Sequence, residues 1–200
     1  MSDTIGYYEK NAETFINGTK DVELCENWDK FEACLPKGGY ILDLGCGSGR
    51  DAKHFLEKGF RVDAVDGSKK ICEIAEKNTG IRVRQMMFDE LDEEDLYDGI
   101  WACSSILHLP KEELGSVIKK MLKALKAEGR IYTSFKYGEF GGERNGRYFT
   151  DFTEASFDEF LNDIDGVEIS GEWITSDARP GRDEEKWLNL ILQKENNGRR

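Results

Sequence analysis

Two hundred residues, 38% of them hydrophobic, carry 28 Lys and Arg against 40 Asp and Glu, a formal charge of −12. This is the balance of one globular domain able to bury a core, and it excludes a disordered chain. No apolar run approaches the roughly 18–20 residues of a membrane helix, and no basic block of the kind that neutralises phosphates is present, so neither a membrane nor a nucleic acid is an expected partner.

In chain order, the first 36 residues read as helical: Tyr8, Ala12, Phe15 and Thr19 fall on one stripe, and Trp28, Phe31 and Leu35 on a second. Pro36-Lys37-Gly38-Gly39 then punctuates the chain, and strand and helix alternate. Strands are predicted at Tyr40–Leu44, Arg61–Val65, Ile81–Phe88, Gly99–Ser104 and Arg130–Phe135. Helices are predicted at Arg50–Lys58, after a Ser68 N-cap as far as Gly80, and at Lys111–Ala127, where Leu114, Val117, Ile118, Met121, Leu122 and Leu125 repeat at helical spacing. Such alternation predicts a parallel sheet with helices on both faces. A short helix at Phe157–Ile164 and two consecutive strands, Val167–Ile174 and Trp187–Gln193, end the pattern as an antiparallel hairpin at the sheet edge. The tail Asn196–Arg200 is expected to fray.

Cysteines at 25, 34, 46, 72 and 103, odd in number and without a CxxC, exclude a complete disulfide framework and argue against a cysteine-rich metal site. No metal is therefore expected. Reduced thiols and the absence of an apolar leader in Met1–Lys10 lead to a cytoplasmic expectation. Oligomeric state is not legible.

The chemistry concentrates on Asp43-Leu44-Gly45-Cys46-Gly47-Ser48-Gly49, a glycine turn between the first predicted strand and its helix. Glycines allow the backbone to approach a ligand closely, and the helix N-terminus offers free N–H groups. Arg50 occupies the third-glycine position of a dinucleotide fingerprint, which argues against such a cofactor, and no GK[ST] follows for a P-loop. Asp43 suits a cationic amine or a water. Asp66, at the end of the second strand and followed by Gly67, is placed to accept from both hydroxyls of a ribose. Asp89, at the end of the third strand in Phe88-Asp89-Glu90, is placed to accept from an adenine amino group, with Phe88 or Leu91 against the ring. Arg50 is expected either to pair with Asp51 or to meet a ligand carboxylate.

Four segments resemble class I S-adenosylmethionine (SAM)-dependent methyltransferases: Ile41–Asp51, Val62–Ser68, Tyr97–Leu109, which includes Ser104 and His108, and Leu125–Ile131, where Ala127 and Glu128 replace the family's Pro-Gly. The chain is most similar to small bacterial members, among them the tellurite-resistance type. The resemblance implies a Rossmann-like, doubly wound, mostly parallel seven-stranded sheet with an antiparallel C-terminal hairpin. It implies SAM as cofactor, and one domain over 1–200 with a helical lid at 1–36, a SAM-binding core at 38–136 and a substrate-side region at 137–195. The cofactor contacts it implies are Tyr8, Asp43, Gly45, Cys46, Gly47, Gly49, Arg50, Asp66, Gly67, Phe88, Asp89, Glu90 and Ser104.

For the acceptor the reading rests on the residues alone. Lys136–Phe152, following the fifth strand, is read as a substrate loop of aromatics, arginines and glycines. Arg144, Arg147 and Tyr148 within it, with Arg179 and Arg182 of the later loop, suggest a small anionic substrate. Catalytic candidates are His108, Tyr148 and Asp151. Tyr7 and Tyr8 are candidate lid residues, and His54 is expected to be structural. The alternatives are a protein or RNA methyltransferase and a non-catalytic binder of SAM or another nucleotide.

Overall fold

The computed structural model describes residues 4–195, so the fraying expected at 196–200 lies outside the described residues. Helices α1 (Thr4–Asn17) and α2 (Cys25–Glu32) precede the alternating core of β1 (Tyr40–Leu44), α3 (Arg50–Glu57), β2 (Arg61–Asp66), α4 (Lys69–Thr79), β3 (Val83–Gln85), β4 (Tyr97–Ala102), α5 (Lys111–Ala124) and β5 (Leu125–Lys136). A hairpin of β6 (Gly141–Arg144) and β7 (Arg147–Thr150) follows, then α6 (Glu154–Leu161), β8 (Val167–Ser176) and β9 (Lys186–Lys194).

Seven strands form one sheet in the order β3-β2-β1-β4-β5-β9-β8. The first five are parallel, β9 runs antiparallel to β5, and β8 antiparallel to β9. The sheet is thus the doubly wound, mostly parallel one implied by the sequence, with its antiparallel edge. The order reverses between β1 and β4, and a crevice opens there at the carboxyl ends of the strands, where open α/β sheets bind ligands. One face packs on α5 and α6 through Leu42, Ile100, Ile131, Phe157 and Leu190. The other packs on α2 and α3 through Ile41, Phe31, Phe55, Trp101 and Tyr132.

Local chemistry sets the ends of these elements. The Ser68 hydroxyl accepts from the Ile71 amide at 3.2 Å and caps α4, which Gly80 closes at φ +75°. Three boundaries differ from expectation. The third strand shrinks to three residues because it pairs on one side only, and Phe88–Glu90 turns into a single 3-10 turn. Helix α5 stops at Ala124 because Leu125 already pairs with Tyr97; the register then shifts so that Arg130 meets Gly99. Lys136–Phe152 is no open loop. Asn145 (φ +50°) and Gly146 (φ +76°) fold it into a tight hairpin, which is a two-stranded sheet of its own.

No helix among the described residues is long and apolar enough to cross a membrane.

Candidate functional site

The loops after β1, β2 and β4 converge on a cavity of about 230 Å³ over the switch point, roofed by Thr4, Ile5, Tyr8 and Phe15 of α1. Its near half is built on the glycine turn. Gly45, Gly47 and Gly49 have φ of +81°, +53° and +76°. A Cβ on Gly45 would stand 2.5 Å from Ser105 Cβ, and the Ser105 hydroxyl is itself held by donating to the Leu44 carbonyl at 2.6 Å. Asp66 faces the cavity and accepts from the amides of Gly47 (3.1 Å) and Ser68 (2.9 Å). Burial lifts its pKa to about 6 against those hydrogen bonds. A carboxylate has about four lone-pair directions, so two remain for a diol. Gly67, Ile71 and Phe88 complete an apolar wall beside it.

The far half is lined from β5 and β9, where Ser134 faces Asn189 and Lys136 faces Trp187 across the ladder. Arg147, Phe149, His108, Asp177, Arg179 and Arg182 close it. His108 Nδ1 lies 2.6 Å from the Tyr148 carbonyl and its Nε2 lies 2.8 Å from the Tyr8 hydroxyl. A carbonyl only accepts, so Nδ1 carries the proton and Nε2 accepts from Tyr8. Burial, followed by the nearby Arg147 charge, holds the imidazole at about 4, hence neutral. Arg147 Nη1 donates to the same Tyr8 oxygen at 3.3 Å. Tyr8 therefore ties the roof to both the β4 side and the hairpin.

A methyltransferase-domain family model, Methyltransf_25, matches residues 41–129. YqeM of Bacillus subtilis, a methyltransferase by name, is 30% identical over 152 residues, which are 70% of this chain and 58% of that protein. These matches support a class I SAM-dependent methyltransferase. The fold agrees. The Burkholderia thailandensis 1,6-didemethyltoxoflavin-N1-methyltransferase, solved with 1,6-didemethyltoxoflavin and S-adenosylhomocysteine, superposes at TM-score 0.75 and 22% identity over 98% of this chain and 87% of its own. A TehB-like SAM-dependent methyltransferase from Corynebacterium glutamicum superposes at 0.67 and 21% identity, over 95% and 99%. The chain spans little more than half the length of YqeM.

Within this core the predicted residues fare unequally. Tyr8, Gly45, Cys46, Gly47, Arg50, Asp66, Gly67, Phe88 and Ser104 line the cavity. Asp43 does not. It is buried under the turn and accepts from the Ala52 amide at 3.0 Å, bracing the start of α3. Gly49 likewise lies behind the turn, against Thr79 and Ala75. Asp89 is exposed and off the cavity, and Glu90 is exposed and accepts from the Met87 amide at 2.7 Å. Arg50 makes the pairing expected as one of its two options: Nε and Nη2 each donate to Asp51 at 2.8 Å. Asp51 also accepts from the indoles of Trp28 (3.0 Å) and Trp101 (2.9 Å). Although burial opposes it, Arg50 keeps that carboxylate below its usual range.

On the acceptor side, Arg147, Arg179, Arg182 and His108 line the cavity, whereas Arg144, Tyr148 and Asp151 do not. Arg144 and Asp151 form an ion pair beside the cavity, with Asp151 buried, and Tyr148 serves through its backbone, donating to Thr4 Oγ1 at 3.1 Å and accepting from His108. Arg179 donates to Asp177 at 2.9 Å, and Trp187 to the same carboxylate at 3.1 Å; these donors outweigh burial and hold Asp177 at about 2. His54 stacks on Trp28 and pairs with Glu32 at 2.6 Å, the structural role expected. Sequence reasoning missed Lys136, Ser134, Asp177, Trp187 and Asn189. A signal existed: Tyr132, Ser134 and Lys136 fall at alternate positions of the fifth strand, so they share one face.

Proposed function

We propose that the protein transfers a methyl group from SAM to a small-molecule acceptor. The observation carrying this reading is the single cavity that joins the glycine turn and Asp66 to an arginine-edged far wall under one helical roof. SAM fits the near half: the Gly45–Ser48 backbone would take its amino-acid part, Asp66 its ribose, and Phe88 and Ile71 its base. When bound, SAM supplies an electrophilic methyl on a sulfonium.

The chain's own contribution is orientation and exclusion of water. Helix α1 closes the cavity through Tyr8 and Phe15, and holding two reactants in line is worth up to about 7–11 kcal/mol. A strong base is not in view. Both nitrogens of His108 are engaged, and Asp51 and Asp177 are filled by arginine and indole donors. Proton removal by His108 through Tyr8 is also uphill, because burial raises the Tyr8 hydroxyl above its ordinary value while it pushes His108 down to about 4. The acceptor that suits this site arrives already nucleophilic.

Calorimetric titration with S-adenosylhomocysteine tests the cofactor, and tritium transfer from methyl-labelled SAM into a cell extract tests the acceptor. Label in the low-molecular-weight fraction is expected. Label in protein or RNA overturns the acceptor class, and no heat with folded protein overturns the reading altogether.

A further inference from the structure

We propose that Arg147 is the residue that recognises the acceptor, and that the acceptor is a small monoanion with an apolar body. The inference rests on the methyl-transfer reading above and deepens it. On a chain with a formal charge of −12, the cavity is lined by five cations, Arg50, Lys136, Arg147, Arg179 and Arg182, and three carboxylates, Asp51, Asp66 and Asp177. Most of that charge is already matched. Arg50 is spent on Asp51 and Arg179 on Asp177. Lys136 and Arg182 share Glu185 just outside the wall, Arg182 at 3.5 Å with nearly half of its side chain in water. Arg144, the remaining arginine of the hairpin, is neutralised by Asp151.

Arg147 differs. Among the described residues no carboxylate pairs with it; its Nε, like that of Arg144, is buried without a hydrogen-bond partner. Its guanidinium lies 4.7 Å from the Tyr7 ring, 5.1 Å from Phe149 and 5.8 Å from Tyr8. Ring faces attract the cation, but they leave a partly buried charge without an opposite charge. A bound carboxylate or comparable oxyanion at the Nη groups supplies the missing charge in the bidentate geometry that arginine favours. One uncompensated cation matches one negative charge. Phe149, Leu107, Trp187 and Phe15 around it offer surface to an apolar body.

The position of Arg147 on β7 matters for turnover as well. Its Nη1 contact with Tyr8 places the anion site at the point where roof and hairpin meet, so an occupied site reinforces closure. A purely structural Arg147 would do no more than hold Tyr8, and the two roles separate by ligand charge.

The test uses protein saturated with S-adenosylhomocysteine and matched probes: benzoate against benzamide, and indole-3-acetate against indole-3-acetamide, with Kd read by ligand-observed NMR. Wild type is expected to bind the acids at least about tenfold more tightly than the amides, a gap typical of a charge-assisted hydrogen bond. Arg147→Gln is expected to erase that gap, and Arg147→Lys to keep part of it. Equal affinity for acid and amide in wild type, or a gap that survives Arg147→Gln, overturns the proposal. Failure of wild type to bind S-adenosylhomocysteine at all overturns the methyl-transfer reading instead.

Discussion

Gly45→Ala probes whether the glycine turn is built for close approach. At φ +81° an alanine adopts a left-handed conformation, costing about 1–2 kcal/mol. Its Cβ would also stand 2.5 Å from Ser105 Cβ, well inside the ~3.5–4.0 Å of ordinary carbon contact. Ser105 has little room to yield, because its hydroxyl is tied to Leu44 at 2.6 Å and the residue is buried. Overpacking of this kind adds about 1–3 kcal/mol. Urea denaturation should therefore show Gly45→Ala destabilised by about 2–5 kcal/mol, a large part of a typical domain's stability. The two terms separate in a double-mutant cycle. Ser105→Gly removes the atom that is struck but leaves the backbone strain, so the pair should be less destabilised than the sum of the singles by about 1–3 kcal/mol. A Gly45→Ala protein within about 0.5 kcal/mol of wild type, or a strictly additive pair, refutes the reasoning.

Two pH predictions follow from the buried titratable groups. Burial pushes Asp66 up to about 6; with Asp66 holding the ribose as a carboxylate, as proposed, S-adenosylhomocysteine affinity should fall about tenfold per unit below pH 6, and affinity unchanged between pH 5 and 7.5 would rule out Asp66 as the ribose ligand. His108, held near 4 by burial, contributes stability that is fully present above its unfolded value of about 6.5 and is lost as pH falls toward 4. Asp66 acts in the opposite sense: with its folded pKa raised, its contribution is lost as pH rises through about 6 and regained below it. The two offset each other in wild type, so His108→Asn should gain stability relative to wild type by about 1.4 kcal/mol per unit from pH 6.5 to 4.5. A pH-independent difference between the two proteins in urea melts would contradict the assigned tautomer and burial.

Much of the frame is legible because it depends on local signals. The 3.6-residue stripe of α5, the glycines of the turn and the acid at the end of β2 each reflect a constraint within a few residues. What escaped depends on contacts between distant segments. Nothing near Asp51 announces that Trp28 and Trp101 will both donate to it, and so nothing decided between the two roles weighed for Arg50. Asp43 and Asp89 look alike as acids at strand ends, yet one is turned under α3 and the other faces water. Arg144 and Arg147 face each other across the hairpin and both lie over Phe149, yet Arg144 is taken up by Asp151 and only Arg147 lines the cavity. The hairpin itself had a readable mark, Asn145-Gly146 between two short runs, that the glycine-rich composition around it obscured.

That hairpin shares no ladder with the seven-stranded sheet. Its strands carry Arg147 and Phe149 to the acceptor, while the glycine turn and Asp66 belong to strands whose register the hairpin does not touch. The glycine turn and Asp66 are thus locked into the sheet, whereas the far wall combines sheet residues of β5 and β9 with an appended ribbon that brings Arg147 and Phe149. Substitutions at the cavity-lining position 147 can alter the far wall without touching the sheet's own ladders, whereas Phe149 and Phe152 belong to the core. For this chain, altered substrate range should be sought at position 147 first.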